Sequence, residues 1–322
     1  MSAARAVAAP GAPELAAART AVAARLAPSP LVPAPGLGGN VWLKLESLHP
    51  TGSFKVRGAL AALSALDPAE AVVTASAGNH GLGVAWAATA LGRRATVVVP
   101  ANASPAKLAA LERFDVALER VGSSYDDAEA HALALAARGA VYVSAYNDPL
   151  VIAGQATIGP EIDAALGFSA APTVVAPLGG GGLASGLGLW SARRAGGRAR
   201  VVAVEAERSQ AFRTALDAGA ITPFSPSPTL ADGLGGNLEP GAVTFELVRD
   251  YIDAVLYSPE PEIEDAVRVL ASVAGVVAEG AAACAAAAVL AGRVRGDEGA
   301  PLVLVITGRN IARARLAEIL AA

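Results

Sequence analysis

Apolar residues run on successive positions in seven short stretches. These are VWLKLE at 41–46, AVVTAS at 71–76, ATVVVP at 95–100, VYVSA at 141–145, PTVVAPL at 172–178, VVAVE at 201–205 and PLVLVIT at 301–307. Helical patterns follow most of them. A strand that is apolar at every position is covered on both faces, and strands alternating with helices build parallel sheets, so the order predicts an α/β fold. Glycine-rich turns stand where strand gives way to helix: SAGNHG after 71–75, GGGG after 173–178 and TGRN after 302–306. These are carboxyl ends of strands, where open α/β sheets bind ligands. Two Ala-rich regions need separate treatment. Residues 271–292 (ASVAGVVAEGAAACAAAAVLAG) are long enough to span a bilayer, but Ala and Gly dominate and Glu279 is costly in hydrocarbon. They read as buried helix with a break at Gly280. The run after Arg5 is interrupted by Pro10, Pro13 and Glu14 and reads as a loose arm rather than a signal peptide.

Composition narrows the class. At roughly 150 residues per domain, 322 residues predict two domains. Hydrophobic residues make up 53% but aromatic ones only 4%, so the core must be built from Ala, Val and Leu. A net charge of −4 leaves no basic excess for a nucleic-acid backbone. A lone Cys284 cannot form an internal disulfide, and His49, His80 and His131 form no cluster with zinc spacing. A reducing, cytoplasmic setting and no membrane partner are the expectation.

Only three of the 25 basic residues are lysines, Lys44, Lys55 and Lys107. Chemistry that needs a neutral amine must use one of them, because arginine is not deprotonated in proteins. Lys44 alternates with leucines in a strand and Lys107 lies on a helical pattern, so both read as solvated or snorkelling charges. Lys55 follows Gly52 and Ser53 at a turn and helix start. The positive end of a helix favours the neutral amine, the form that condenses with an aldehyde. Two anion cradles keep it company. Gly179, Gly180, Gly181 and Gly182 follow an apolar strand and precede LASGLGLW, where bare N–H groups wrap a phosphate. Neither a dinucleotide fingerprint nor a nucleotide P-loop fits their spacing. Ser76, Ala77, Gly78, Asn79 and His80 form the second cradle, suited to a substrate carboxylate, with a plain helix cap as its competitor.

Taken together, TGSFKVRGA (51–59), SAGNHG (76–81), AGQATIGPEI (153–162), GGGGL (179–183), TLADGL (229–234), EGAAA (279–283) and TGRN (307–310) resemble the fold type II pyridoxal-phosphate enzymes, closest to the threonine/serine dehydratase group. The resemblance runs from about Ser29-Pro30-Leu31 to the C-terminus. It implies two open, twisted, mostly parallel sheets like those of the tryptophan synthase β chain. The small mobile domain would lie at 46–148 and the large one at 1–45 plus 149–322. It also implies a homodimer and no regulatory C-terminal domain. Carried over residue by residue, it makes Lys55 the Schiff-base lysine and stacks Phe54 on the cofactor ring. It puts the phosphate on Gly179–Gly182 and Leu183, the ring hydroxyl on Asn79, Thr307 at the pyridine nitrogen and Glu279 near the ring edge, with a carboxylate satisfied by backbone N–H groups as the competing reading of Glu279. The implied reaction is β-elimination, the dehydration and deamination of a β-hydroxy amino acid such as L-threonine or L-serine to a 2-oxo acid and ammonia.

The chain departs from the pattern at three places. Relatives that racemise serine carry a Ser where this chain has Ala77, so elimination is expected to exceed racemisation. Leu82 stands where many dehydratases have Gln. Glu205 matches the first ligand of a divalent-cation site, but the second carboxylate falls at Ala211. No metal is therefore expected, and Glu205 is a weak candidate only. Tyr125 and Asp127 read as a helix-start motif, Asp232 as part of the substrate mouth, His80 as a structural hydrogen bonder and Cys284 as a buried small hydrophobe. β-Replacement or racemase chemistry on the same fold and, from another class, a non-catalytic nucleotide-binding protein are the rival readings.

Overall fold

The computed structural model describes Arg5 and residues 7–167, 171–297 and 299–322. The chain runs α1 (Ala12–Ala23), β1 (Leu31–Pro33), β2 (Val41–Lys44), α2 (Lys55–Ala65), β3 (Val72–Ala75), α3 (Asn79–Leu91), β4 (Ala95–Val99), α4 (Pro105–Leu111), β5 (Ala117–Arg120), α5 (Tyr125–Ala136) and β6 (Val141–Tyr142). It continues with α6 (Pro149–Ala156), α7 (Ile158–Leu166), β7 (Thr173–Pro177), α8 (Gly182–Ala192), β8 (Arg200–Ala206), α9 (Ala211–Ala218), α10 (Val243–Tyr251), β9 (Ala254–Ser258), α11 (Glu260–Ser272), α12 (Gly280–Leu290), β10 (Leu302–Val305) and α13 (Arg313–Ala321).

The strands form two sheets. One has the order β1-β2-β10-β7-β8-β9, with β1 antiparallel to β2 and every other pair parallel. The other is all parallel, in the order β5-β4-β3-β6. Strands β3, β7 and β10 are buried at every position, as successive apolar residues predict. Alternation then sorts side chains between faces. Val174, Ala176, Val303 and Val305 point to Ile158 and Ile162 of α7 and to Leu187 and Trp190 of α8. Val175 and Leu304 point the other way, onto α11 and α12. Helix α12 is mostly Ala, and small side chains let it sit close on this sheet. The four-stranded sheet is faced by α3 and α4 through Val97, Val99, Leu108 and Leu111, and by α5 through Val73, Val98, Ala128 and Ala132.

Four sequence expectations need correction. Strands β1, β5 and β9 lie outside the seven apolar runs, and β6 is two residues long where 141–145 is expected. The segment 271–292 is buried helix from Gly280 on, as expected, but the break ahead of it takes up 273–279. Helix α11 ends at Ser272, residues 273–279 are not helical, and α12 starts at Gly280 with Glu279 as its extended N-cap. Glycine opens α12 because a Cβ at position 280 would lie 2.2 Å from the Leu230 carbonyl oxygen. Among its described residues, the N-terminal arm is helical from Ala12 rather than loose. Proline is tolerated in a first helical turn, and Glu14 accepts the Gly11 N–H at 2.9 Å, so α1 forms and buries Ala18 and Val22. Lys44 is not solvated: it is 1% exposed, with Nζ 2.5 Å from Glu161 Oε2 and 2.7 Å from the Ser29 carbonyl. No helix among the described residues is long and apolar enough to cross a membrane.

Candidate active site

The site gathers at the carboxyl ends of β3, β7 and β10. Its first component is the turn before α2. Ser53 pairs with Gly308 in an isolated antiparallel bridge, and the Phe54 N–H donates to the Thr307 carbonyl at 3.0 Å. Gly52 takes φ +75, a left-handed conformation that glycine adopts without a Cβ penalty, and its carbonyl accepts the Arg309 N–H. Stitched to the end of β10, this turn presents Lys55 as the first residue of α2. The Lys55 amine donates to the Ala145 carbonyl at 2.9 Å and lies 5.2 Å from the centre of the half-buried Phe54 ring. Burial pulls the amine's pKa down to about 8, with the Glu279 charge acting in the opposite direction. Desolvation, more than the helix end invoked from sequence, favours the neutral form. Lys107 is half exposed and pairs with Asp232 at 3.2 Å, while Lys44 is consumed by Glu161.

The second component is the loop from Ser76 into α3. The Gly78 N–H donates to Ser76 Oγ at 3.2 Å, whereas the amides of Ala77, Asn79 and His80 have no acceptor among the described residues. Asn79 Nδ2 donates to Glu279 Oε1 at 2.7 Å, and Asn310 Nδ2 donates to Asn79 Oδ1 at 2.6 Å. Asn310 also gives its backbone N–H to Glu279 Oε2 at 2.9 Å and reaches the Thr51 carbonyl, tying this loop to the turn before Lys55. Glu279 is thus a satisfied carboxylate beside Asn79, with its pKa raised to about 7 by burial against these hydrogen bonds. His80 is buried, and its Nε2 is 3.1 Å from the Val143 carbonyl. Burial, with the Lys55 charge, pushes His80 down to about 3, so the ring is neutral, with the proton on Nε2.

The tetraglycine turn is the third. The amides of Gly179, Gly180, Gly181, Gly182 and Leu183 donate to no acceptor among the described residues. Glycine is required for this close packing. A Cβ at Gly180 would lie 2.3 Å from the Tyr146 ring, and one at Gly181, whose φ is +87, would lie 2.5 Å from Phe212 Cζ. Thr244 Oγ1 donates to the Gly180 carbonyl at 2.9 Å, fixing the turn from α10. The donor set suits a phosphate: five unpaired N–H groups open a helix, with no carboxylate among them.

Other sequence candidates fall outside this constellation. Both oxygens of Glu205 are taken by the N–H groups of Phe212 and Arg213, at 2.8 and 2.9 Å, so this carboxylate caps α9. No metal-binding cluster occurs among the described residues. Ser124 and Asp127 cap α5 reciprocally, the role expected of the Tyr125–Asp127 motif. Cys284 is buried, and its thiol donates to the Glu205 carbonyl. Leu82 and Ala77 pack as apolar groups beside Leu108 and Leu111. Sequence reasoning does not single out Tyr146, Glu239 or Asn310. Asn310 stands within the TGRN motif, but no local pattern marks the other two, whose side-chain hydrogen-bond partners lie 92 to 234 residues away.

The sequence pattern of the family described as "Pyridoxal-phosphate dependent enzyme" matches residues 22–308, most of the chain. The chain belongs to that family. Among its curated relatives, the L-threonine ammonia-lyase of Thermotoga maritima is 41% identical over 85% of this chain and 68% of its own. The catabolic L-threonine dehydratase TdcB of Escherichia coli K12 is 36% identical, over 87% of this chain and 86% of its own. Among solved structures, a threonine deaminase from T.th. superposes with a TM-score of 0.85 at 35% identity, covering 94% of this chain and 99% of that one. Maize serine racemase superposes with a TM-score of 0.88 at 26% identity over 98% of each. Membership supports the α/β architecture of two mostly parallel sheets expected from sequence and sets aside the nucleotide-binding alternative.

Proposed function

We propose that this chain is an ammonia-lyase that dehydrates and deaminates a β-hydroxy amino acid, L-threonine or L-serine, to a 2-oxo acid and ammonia. What supports this reading is one amine of lowered pKa seated between two turns rich in unpaired amides, in a chain whose relatives are named for threonine deamination. When bound, pyridoxal phosphate supplies the electron sink that makes an amino acid's α-proton acidic. The amides of Gly179–Leu183 would hold its phosphate, Asn79 would bond its ring hydroxyl, Phe54 would pack on its ring, and the buried Thr307 would offer its hydroxyl to the ring nitrogen. The loop amides of Ala77, Asn79 and His80 bind the substrate carboxylate. Lys55, neutral in a useful fraction near pH 8, takes the α-proton. Neutral His80 keeps a second positive charge away from that amine. The methyl of Ala77 carries no exchangeable proton, so nothing at that position reprotonates the opposite side, and elimination outruns racemisation.

The chain divides into a small domain, 46–148, that closes over the substrate and a large one formed by the rest. The Lys107–Asp232 pair spans the two at the mouth, and the enzyme works as a homodimer in the cytoplasm. Assay of 2-oxo acid and ammonia from L-threonine and L-serine, with no added nucleophile, tests the reaction. No turnover on a panel of β-hydroxy amino acids refutes it. The solved serine racemase fold motivates a second assay for D-serine, in which inversion faster than elimination would reverse the assignment.

A further inference from the structure

One largely buried carboxylate outside the catalytic constellation gathers three polar side chains. Glu239, on the loop before α10, has a side chain only 10% exposed. Its carboxylate accepts from Ser144 Oγ at 3.1 Å, from Asn147 Nδ2 at 3.0 Å and from the Arg5 guanidinium at 2.8 to 3.1 Å. Its own N–H donates to the Tyr146 hydroxyl at 2.9 Å. Arg5 closes the cluster by donating to the Asn147 carbonyl at 3.2 Å and stacking 4.9 Å from the Tyr142 ring centre. The held segment, 143–147, is one wall of the site. The Val143 carbonyl meets His80, the Ala145 carbonyl meets Lys55, and the Tyr146 ring lies where a Cβ on Gly180 would have to go. Every residue of this wall is therefore tied to the site or to Glu239.

We propose that Glu239, charge-paired to Arg5, is a positioning residue that holds Tyr146 against the tetraglycine turn and so sets the grip of that turn on the cofactor's phosphate. This rests on the assignment of Gly179–Leu183 as the phosphate cradle. The physical reason is local. A turn with four glycines has no side chains to fix its amides, so its shape comes from what packs on it. Thr244 holds one side and Tyr146 the other, and Tyr146 is oriented through the Glu239 N–H. Because Ser144, Asn147 and Arg5 all converge on the same carboxylate, the loop carrying that N–H has one stable seating.

The test compares two probes, pyridoxal phosphate and pyridoxal, titrated into the full-length protein stripped of cofactor. Wild type, Glu239→Ala, Glu239→Gln, Tyr146→Phe and the Glu239→Ala/Tyr146→Phe double variant are measured by absorbance and by tryptophan fluorescence. Losing one oriented hydrogen bond corresponds to about a tenfold change in affinity. Glu239→Ala, which keeps the backbone N–H but unseats the loop that carries it, and Tyr146→Phe, which removes its acceptor, are each expected to weaken pyridoxal phosphate by about that factor and to weaken pyridoxal distinctly less. The double variant is expected to match the singles, because both act through one contact. Glu239→Gln, which keeps the shape and loses the charge pair, is expected to fall between wild type and Glu239→Ala. Equal weakening of both probes, or losses that multiply in the double variant, would overturn the proposal. Failure of the wild type to bind pyridoxal phosphate would instead strike the proposed function, and the two failures are distinguishable in the same titration.

Discussion

Replacing Arg57 by Met probes what fixes the reactive lysine. Arg57 sits two residues after Lys55 in α2 and is fully buried. Its guanidinium bonds both oxygens of Glu46 at 2.7 and 2.9 Å, both oxygens of Glu161 at 2.6 and 2.7 Å, and Thr157 Oγ1 at 3.0 Å. Lys44, paired with Glu161, and His49, beside Glu46, complete a buried polar network that anchors α2 to β2 and α7. Burial alone would raise the pKa of Glu46, but the charge of Arg57, with His49 and the hydrogen bonds, holds it well below its usual 4.5. Met removes the cation and leaves Glu46, which is not exposed at all, with a weakened set of partners. Breaking a buried pair from one side costs roughly 3–5 kcal/mol, a large part of the roughly 5–15 kcal/mol typical of a folded protein. Equilibrium urea unfolding of the cofactor-free protein measures it, and the same substitution in a Glu46→Gln background should cost at least about 1 kcal/mol less. The contribution is present above the ordinary carboxylate pKa and fades as pH falls below it, because the folded pKa is depressed. The variant should therefore lose less on acidification from neutral pH than the wild type does. A cost under about 1 kcal/mol at neutral pH would refute the idea that this network anchors α2.

Two further outcomes follow from site geometry. Gly181→Ala forces a side chain into φ +87 and against Phe212, so it should destabilise the fold by about 1–3 kcal/mol and lower pyridoxal phosphate affinity, both readable in one thermal-shift series with and without cofactor. Glu205 is raised to about 7, chiefly by burial, above an unfolded value of 4.5, so its contribution is full below 4.5 and lost as pH rises through 7. Glu205→Gln should flatten the stability profile in that window, and an unchanged slope would contradict the burial-raised carboxyl.

How much is legible in the sequence follows the degree of burial. Strands β2, β3, β4, β7, β8 and β10 have neighbours on both edges, and successive apolar residues reveal them. The strands that the pattern misses, β1, β5 and β9, are all sheet edges. β5 reads ALER, with both ends exposed, and β1 ends in proline, which only an edge strand tolerates readily. The three turns of the site are visible because glycine clusters at strand ends are local signals. Lys44 misleads because the carboxylate that buries it lies 117 residues away in sequence, and Glu239 is silent because its partners come from Arg5 and the wall at 143–147. Long-range pairing leaves no trace in a local pattern.

The most direct test of the account is covalent. The protein loaded with pyridoxal phosphate is reduced with borohydride, digested and mapped by mass spectrometry. The account predicts one modified peptide, labelled at Lys55. Label on Lys44 or Lys107, or on no lysine, would contradict it.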